Sequence, residues 1–136
     1  MNVPLFYKEL IIPSTIEGVD SCLVLVNQIS ILFKLDLELL FSLQTLILES
    51  VENAIYHGNK GNRDLLVYVS FEVTEFQIII KVEDQGMGFD IEMVPSPLLQ
   101  ANIKKESGRG IFFIKNLSSS CYTLGSGNIL IMKINR

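Results

Sequence analysis

The sequence predicts an α+β fold: a two-layer α/β sandwich whose mostly antiparallel sheet is covered by helices on one face. Three observations carry this. Val67, Val69, Phe71 and Val73 recur at every second position, and Phe76, Ile78, Ile80 and Val82 repeat the pattern after a short gap, as expected for a hairpin with one buried face. Before the hairpin lie two long apolar stretches with helix-start signals. After it come two short apolar runs, Cys121 to Leu124 and Ile129 to Asn135, of strand length.

The elements follow in order. Leu5 to Ile12 reads as a first strand, ended by Pro13-Ser14. Ser14 or Thr15 can cap a helix, and Glu17 stands three residues after Ser14 in capping-box register. That helix runs to about Phe33 and is apolar on most faces through Val19, Cys22, Leu23, Leu25, Val26, Ile29, Leu32 and Phe33. Asp36 can cap a second helix reaching Gly58, and Gly58 to Asp64 reads as a polar loop. Thr74-Glu75 is the expected hairpin turn. Between Gly88 and Gly108 lies a long segment with Pro95, Pro97 and no clear period; such a loop in a compact domain is usually functional. A short helix from Arg109 to Leu117 precedes the last two strands.

Residues 1–136 suit one domain. At 49% hydrophobic and 19% charged, the chain can fill a core, and the surplus of apolar residues points to a face that meets a partner. No uninterrupted apolar run reaches the roughly 18 residues of a membrane span. The start Met-Asn-Val-Pro-Leu lacks a signal peptide's basic residues and apolar core. Cys22 and Cys121 have no metal-binding spacing and read as reduced core thiols. The expectation is a cytoplasmic protein that does not enter a membrane. A net charge of −4 argues against general nucleic-acid binding.

Chemistry concentrates in Glu49-Ser50-Val51-Glu52-Asn53-Ala54-Ile55-Tyr56-His57-Gly58, which puts carboxylates, a carboxamide and an imidazole into an apolar helix. Burying Glu49 and Asn53 is costly unless something binds them. At i and i+4 they share one helical face, where they can hold a hydrated magnesium ion, or a magnesium ion and a reactive hydroxyl. Taken alone, the segment also fits a plain helix C-terminus. Two glycine pairs follow: Glu83-Asp84-Gln85-Gly86-Met87-Gly88-Phe89 after a strand, and Ser107-Gly108-Arg109-Gly110-Ile111 at a helix start. Neither completes a dinucleotide fingerprint, because Ile91 and Phe113 stand where a third glycine would fall, and no Walker A pattern exists.

This order of motifs resembles the nucleotide-binding fold of gyrase, histidine kinases and MutL, the GHKL or Bergerat-fold ATPases. Within it, Glu49 to Gly58 and Ser107-Gly108-Arg109-Gly110-Ile111-Phe112-Phe113-Ile114 look most like the small bacterial anti-sigma factor serine kinases. The resemblance covers nearly the whole length. It implies that Asp84 accepts the exocyclic amine of adenine, with Gly86 and Gly88 letting backbone approach the base. Gly108 and Gly110, before the third helix, supply amides for phosphate. Glu49 is then the general base on a substrate serine hydroxyl, and Asn53 the magnesium ligand through its carboxamide oxygen. Residues of about 89–107 form an ATP lid whose Lys104 or Lys105 could touch phosphates. Arg109 is either near phosphate or paired with Glu106. Glu52 points away from the Glu49–Asn53 face. His57, on the Asn53 face, is either a phosphate-side group or a helix-end histidine favoured by the dipole.

Two departures stand out. Asn128, in Gly125-Ser126-Gly127-Asn128-Ile129, occupies the place where the resemblance has a hydroxyl residue, which leaves its nucleotide contact open. No Lys or Arg occurs between Lys8 and Lys34, so the first helix offers no basic partner surface. The resemblance implies ATP and Mg2+ as cofactors, and an anti-sigma factor that phosphorylates a STAS-type anti-anti-sigma protein in partner switching. It also implies a sigma factor as partner and a homodimer through the first strand and helix. The alternative is an ATP-binding sequestering module without turnover.

Overall fold

The computed structural model describes residues 3–88 and 106–136, with backbone alone for 106–109. Five strands form one sheet: β1 (Phe6–Pro13), β2 (Leu66–Val73), β3 (Gln77–Glu83), β4 (Ser120–Leu124) and β5 (Ile129–Asn135). Their order is β1-β2-β3-β5-β4, and every neighbouring pair is antiparallel. Helices α1 (Ile16–Phe33), α2 (Leu37–Asn53) and α3 (Glu106–Leu117) complete the fold. The α+β expectation holds, and the described residues form an antiparallel sheet with three helices.

The alternation in the hairpin explains the core. Val67, Val69, Phe71 and Val73 of β2, with Ile78, Ile80 and Val82 of β3, are all buried. Register aligns Val69 with Val82 and Val82 with Leu130, and likewise Phe71 with Ile80 and Ile80 with Met132, so one apolar face runs across the sheet. Val26 and Ile29 of α1, Leu43, Leu46 and Ile47 of α2, and Ile111 and Ile114 of α3 join the same cluster. Phe76 breaks the expectation. It lies outside β3 and is exposed, because the turn extends from Thr74, whose amide bonds the Gln77 carbonyl (2.8 Å). Pro13 is tolerated in β1 because that strand is a sheet edge.

The helix caps follow the sequence. Thr15 Oγ1 accepts from the Gly18 amide (3.4 Å), and Asp36 Oδ1 accepts from the Leu39 amide (2.8 Å). By length and composition α1 could cross a membrane, with a mean hydropathy of 1.5. It instead packs as a core helix through Val19, Cys22, Leu25, Val26 and Ile29. Burial pushes the Cys22 thiol up to about 12, so Cys22 sits in the core as an inert apolar group. Cys121 is half-buried on β4.

Two helix boundaries differ from the sequence expectation. The second helix stops being α-helical at Asn53, and Ala54–Gly58 forms a π-helical turn closed by the Asn59 amide on the Ala54 carbonyl (2.8 Å). The third helix starts at Glu106 rather than Arg109, so Gly108 and Gly110 lie inside it, not before it. Gly108 still falls among the free amides of the first turn, while Gly110 lies beyond them.

Candidate functional site

A cavity of about 630 Å³ opens between the end of α2, the polar loop after it and the segment following β3. Asn53, His57, Gly58, Asp84, Gly86, Gly88 and Ile111 are among its lining residues. Motifs far apart in sequence therefore meet around one space, of a volume that suits a small-molecule ligand.

Asp84 is set into the wall of this cavity and is buried. The Gly86 amide donates to its Oδ1 (2.8 Å). Among the described residues, Oδ2 has no hydrogen-bond donor. Burial raises the pKa of Asp84; the Gly86 amide opposes this and the Glu83 charge adds to it. Gly58 and Gly86 exist as glycines for steric reasons. A Cβ on Gly58 would collide with the Asp84 carboxylate, and one on Gly86 would collide with the Gly58 carbonyl. The π turn thus brings bare backbone against the carboxylate. Gly88 adopts φ +87, where an L side chain is strained, and packs against the carbonyl of Ser126.

Glu49 stands one turn before Asn53 on α2 but does not line the cavity. Its neighbour is Gly110: a Cβ there would sit 2.8 Å from Glu49 Oε2. Gly110 therefore lets α3 close on the Glu49 carboxylate, a packing role that the amide argument missed. Burial raises the Glu49 pKa, and the Glu52 charge raises it further. Glu52, expected to face away, is half-buried and near enough to act on Glu49 electrostatically. His57 is exposed at the cavity wall. Lys104, Lys105 and the expected lid as far as residue 105 lie outside the described residues, as does the side chain of Arg109.

The sequence reading missed Asn59. It is buried, and all its polar groups are engaged. Its Nδ2 donates to Ser14 Oγ (3.0 Å) and to the Leu66 carbonyl (3.0 Å), and its Oδ1 accepts from the Gln85 amide (2.8 Å). Ser14 Oγ in turn donates to the Leu65 carbonyl (2.8 Å). Asn128 donates through Nδ2 to the Asp84 carbonyl (3.0 Å), and its own carbonyl accepts from the Asp84 amide (3.0 Å).

Among the described residues no group of three His, Cys, Asp or Glu side chains could hold a metal alone. Asn53, on the cavity wall, would offer magnesium one carboxamide oxygen, with waters and phosphate oxygens completing its shell.

The raised pKa values carry a stability consequence. A carboxyl whose folded pKa exceeds its unfolded one binds protons more tightly when folded, so it disfavours folding as pH rises through that range. Glu49→Gln and Asp84→Asn should each raise the thermal unfolding midpoint of the nucleotide-free protein at pH 7. The advantage should shrink as pH falls from the raised values toward the ordinary ones, 4.5 for Glu and 3.8 for Asp, and be gone below them. The gain is modest, because water screens the exposed part of each group. An advantage independent of pH would contradict this origin.

Among the described residues, the antiparallel sheet, three helices and the cavity walled by Asp84 and Gly86 are of a kind with ATPase domains. The chain belongs to the histidine kinase-like ATPase domain family, whose match covers residues 12–134. It is also similar to proteins named anti-sigma F factor from Bacillus cereus, Bacillus thuringiensis and Bacillus mycoides, each 33% identical over 82 residues. That similarity covers 59% of this chain and 56% of the length of those relatives.

Proposed function

We propose that the chain is an anti-sigma regulatory factor that binds ATP with magnesium and phosphorylates a serine of a STAS-type anti-anti-sigma protein. The observation that carries this reading is the half-buried Glu49 carboxylate with its raised pKa, one helical turn from Asn53 at the edge of the Asp84 cavity. Phosphoryl transfer asks a protein mainly for positioning and charge neutralisation. Asp84 would read the adenine amine, Gly86 and Gly88 would lie along the base, and Asn53 would hold magnesium. Magnesium, when bound, supplies charge neutralisation at the phosphates. Gly108, Arg109 and Lys105 are the proposed phosphate-side groups, while Gly110 lets α3 pack against Glu49. Glu49 would accept the proton of the substrate serine.

The relatives' name supports the sigma factor as partner, and a cytoplasmic setting follows from that role. The test is transfer of radiolabelled γ-phosphate from ATP to a purified STAS-type anti-anti-sigma protein, with co-elution of a sigma factor measured in parallel. Label on serine and a sigma complex support the proposal. A sigma complex with bound ATP and no label would replace it with the sequestering module.

We also propose a homodimer through β1 and α1. β1 is an edge strand, and Leu5, Tyr7, Ile11, Ile16, Val24 and Ile31 on or beside these elements are exposed. An apolar groove of about 400 Å³ lies between Phe6, Leu25, Ile29 and Leu32. Light scattering at micromolar concentration is expected to give the mass of two chains; a monomer at high concentration would overturn it.

A further inference from the structure

The peptide group joining Asp84 to Gln85 is held at both ends by carboxamide side chains from distant parts of the chain. Asn128 Nδ2 donates to its oxygen (3.0 Å), and Asn59 Oδ1 accepts from its N–H (2.8 Å). The Asp84 amide is engaged as well, by the Asn128 carbonyl (3.0 Å). These three bonds hold the backbone of Asp84 on both of its peptide groups. The Gly86 amide then fixes the carboxylate through Oδ1 (2.8 Å), so the remaining oxygen, Oδ2, is presented in one direction.

We propose that Asn59 and Asn128 are positioning residues: they clamp the 84–85 peptide and so set how strongly Asp84 selects a ligand carrying an exocyclic amine. This rests on the reading of Asp84 as the adenine acceptor. The clamp also gives Asn128 a task that needs no contact with the nucleotide. Its place at the hydroxyl position is filled by a longer side chain that reaches the backbone of Asp84 instead. The two carboxamides are not equivalent. Asn128 is half-buried and its Nδ2 serves the clamp, whereas Asn59 also ties Ser14 and Leu66 into the fold through its own Nδ2.

The experiment compares ATP with purine riboside triphosphate, which lacks the amine, by titration calorimetry on wild type, Asn128→Ala, Asn128→Asp and Asn59→Asp. Wild type should prefer ATP by about 10–100-fold, the worth of a hydrogen bond to a charged acceptor. Asn128→Ala and Asn128→Asp both remove the donor to the Asp84 carbonyl, one without adding charge and one without changing size. Each should bring that preference toward one while remaining folded, read by thermal unfolding. Asn59→Asp keeps the acceptor for the Gln85 amide and loses the donors to Ser14 and Leu66. It should lower the unfolding midpoint and, in the folded protein, keep the preference.

A wild-type preference retained in both Asn128 variants overturns the clamp and leaves the reading of Asp84 standing. Equal loss of preference in all three variants also overturns it, since selectivity would then follow general loosening of the fold. A wild type that binds both nucleotides equally overturns the Asp84 reading and the clamp together. If Asn59→Asp unfolds, the two Asn128 variants decide the matter.

Discussion

Glu49→Gln is expected to bind ATP as wild type does and to lower phosphoryl transfer to serine by ~10²–10⁴-fold, the usual worth of a general base. The substitution keeps the size and polarity of the side chain beside Gly110, where there is no room for a larger group. It removes only the proton acceptor. In barrier terms the loss is about 2.7–5.5 kcal/mol. Asn53→Ala is expected to fail differently. It removes the proposed oxygen ligand for magnesium, so magnesium-dependent ATP affinity and transfer should fall together. Full transfer by Glu49→Gln would show that another group takes the proton. A parallel loss of ATP affinity would show that Glu49 shapes the pocket rather than the chemistry.

Asp84→Asn carries the second large effect. The carboxylate is buried, its Oδ1 is taken by the Gly86 amide, and Oδ2 is left for a ligand donor. An asparagine can keep the Gly86 bond with its oxygen, but its NH2 group then faces the adenine amine, donor against donor. Losing a hydrogen bond to a charged acceptor costs about 1.5–3 kcal/mol, so ATP affinity should drop by roughly 10–100-fold. The nucleotide-free variant should still be folded and, at pH 7, slightly more stable than wild type, because the raised pKa marks an unfavourable burial of charge. Weaker binding with greater stability is the signature of a carboxylate retained for a ligand.

Much of the fold was legible in the sequence because its strongest signals are periodic. Alternation at Val67 to Val73 and at Ile78 to Val82 placed the central strands, and the cap at Asp36 placed the start of α2. Phe76 was misplaced because an apolar residue in phase with a strand can still belong to the turn. The π turn at Ala54–Gly58 was not legible, since its residue types also suit an α-helix. The start of α3 was set three residues late because glycine is a poor helix former; at Gly110 close packing against Glu49 outweighs that propensity. In the site, Asn53, Asp84, Gly86 and Gly88 were found as motif residues, and they do line one cavity. Asn59 was read only as part of a polar loop. Its importance comes from partners at Ser14, Leu66 and Gln85, which only the folded chain brings together. Asn128 was singled out as a departure, but its bond to the Asp84 carbonyl could not be read from its neighbours in sequence.

Titration calorimetry of the wild-type chain with ATP, ADP and GTP, with and without magnesium, tests the central claim most directly. The account predicts that ATP and ADP bind, that magnesium strengthens ATP binding, and that GTP, which offers a carbonyl where adenine offers an amine, binds much more weakly. Equal affinity for ATP and GTP, or no binding of either, would contradict it.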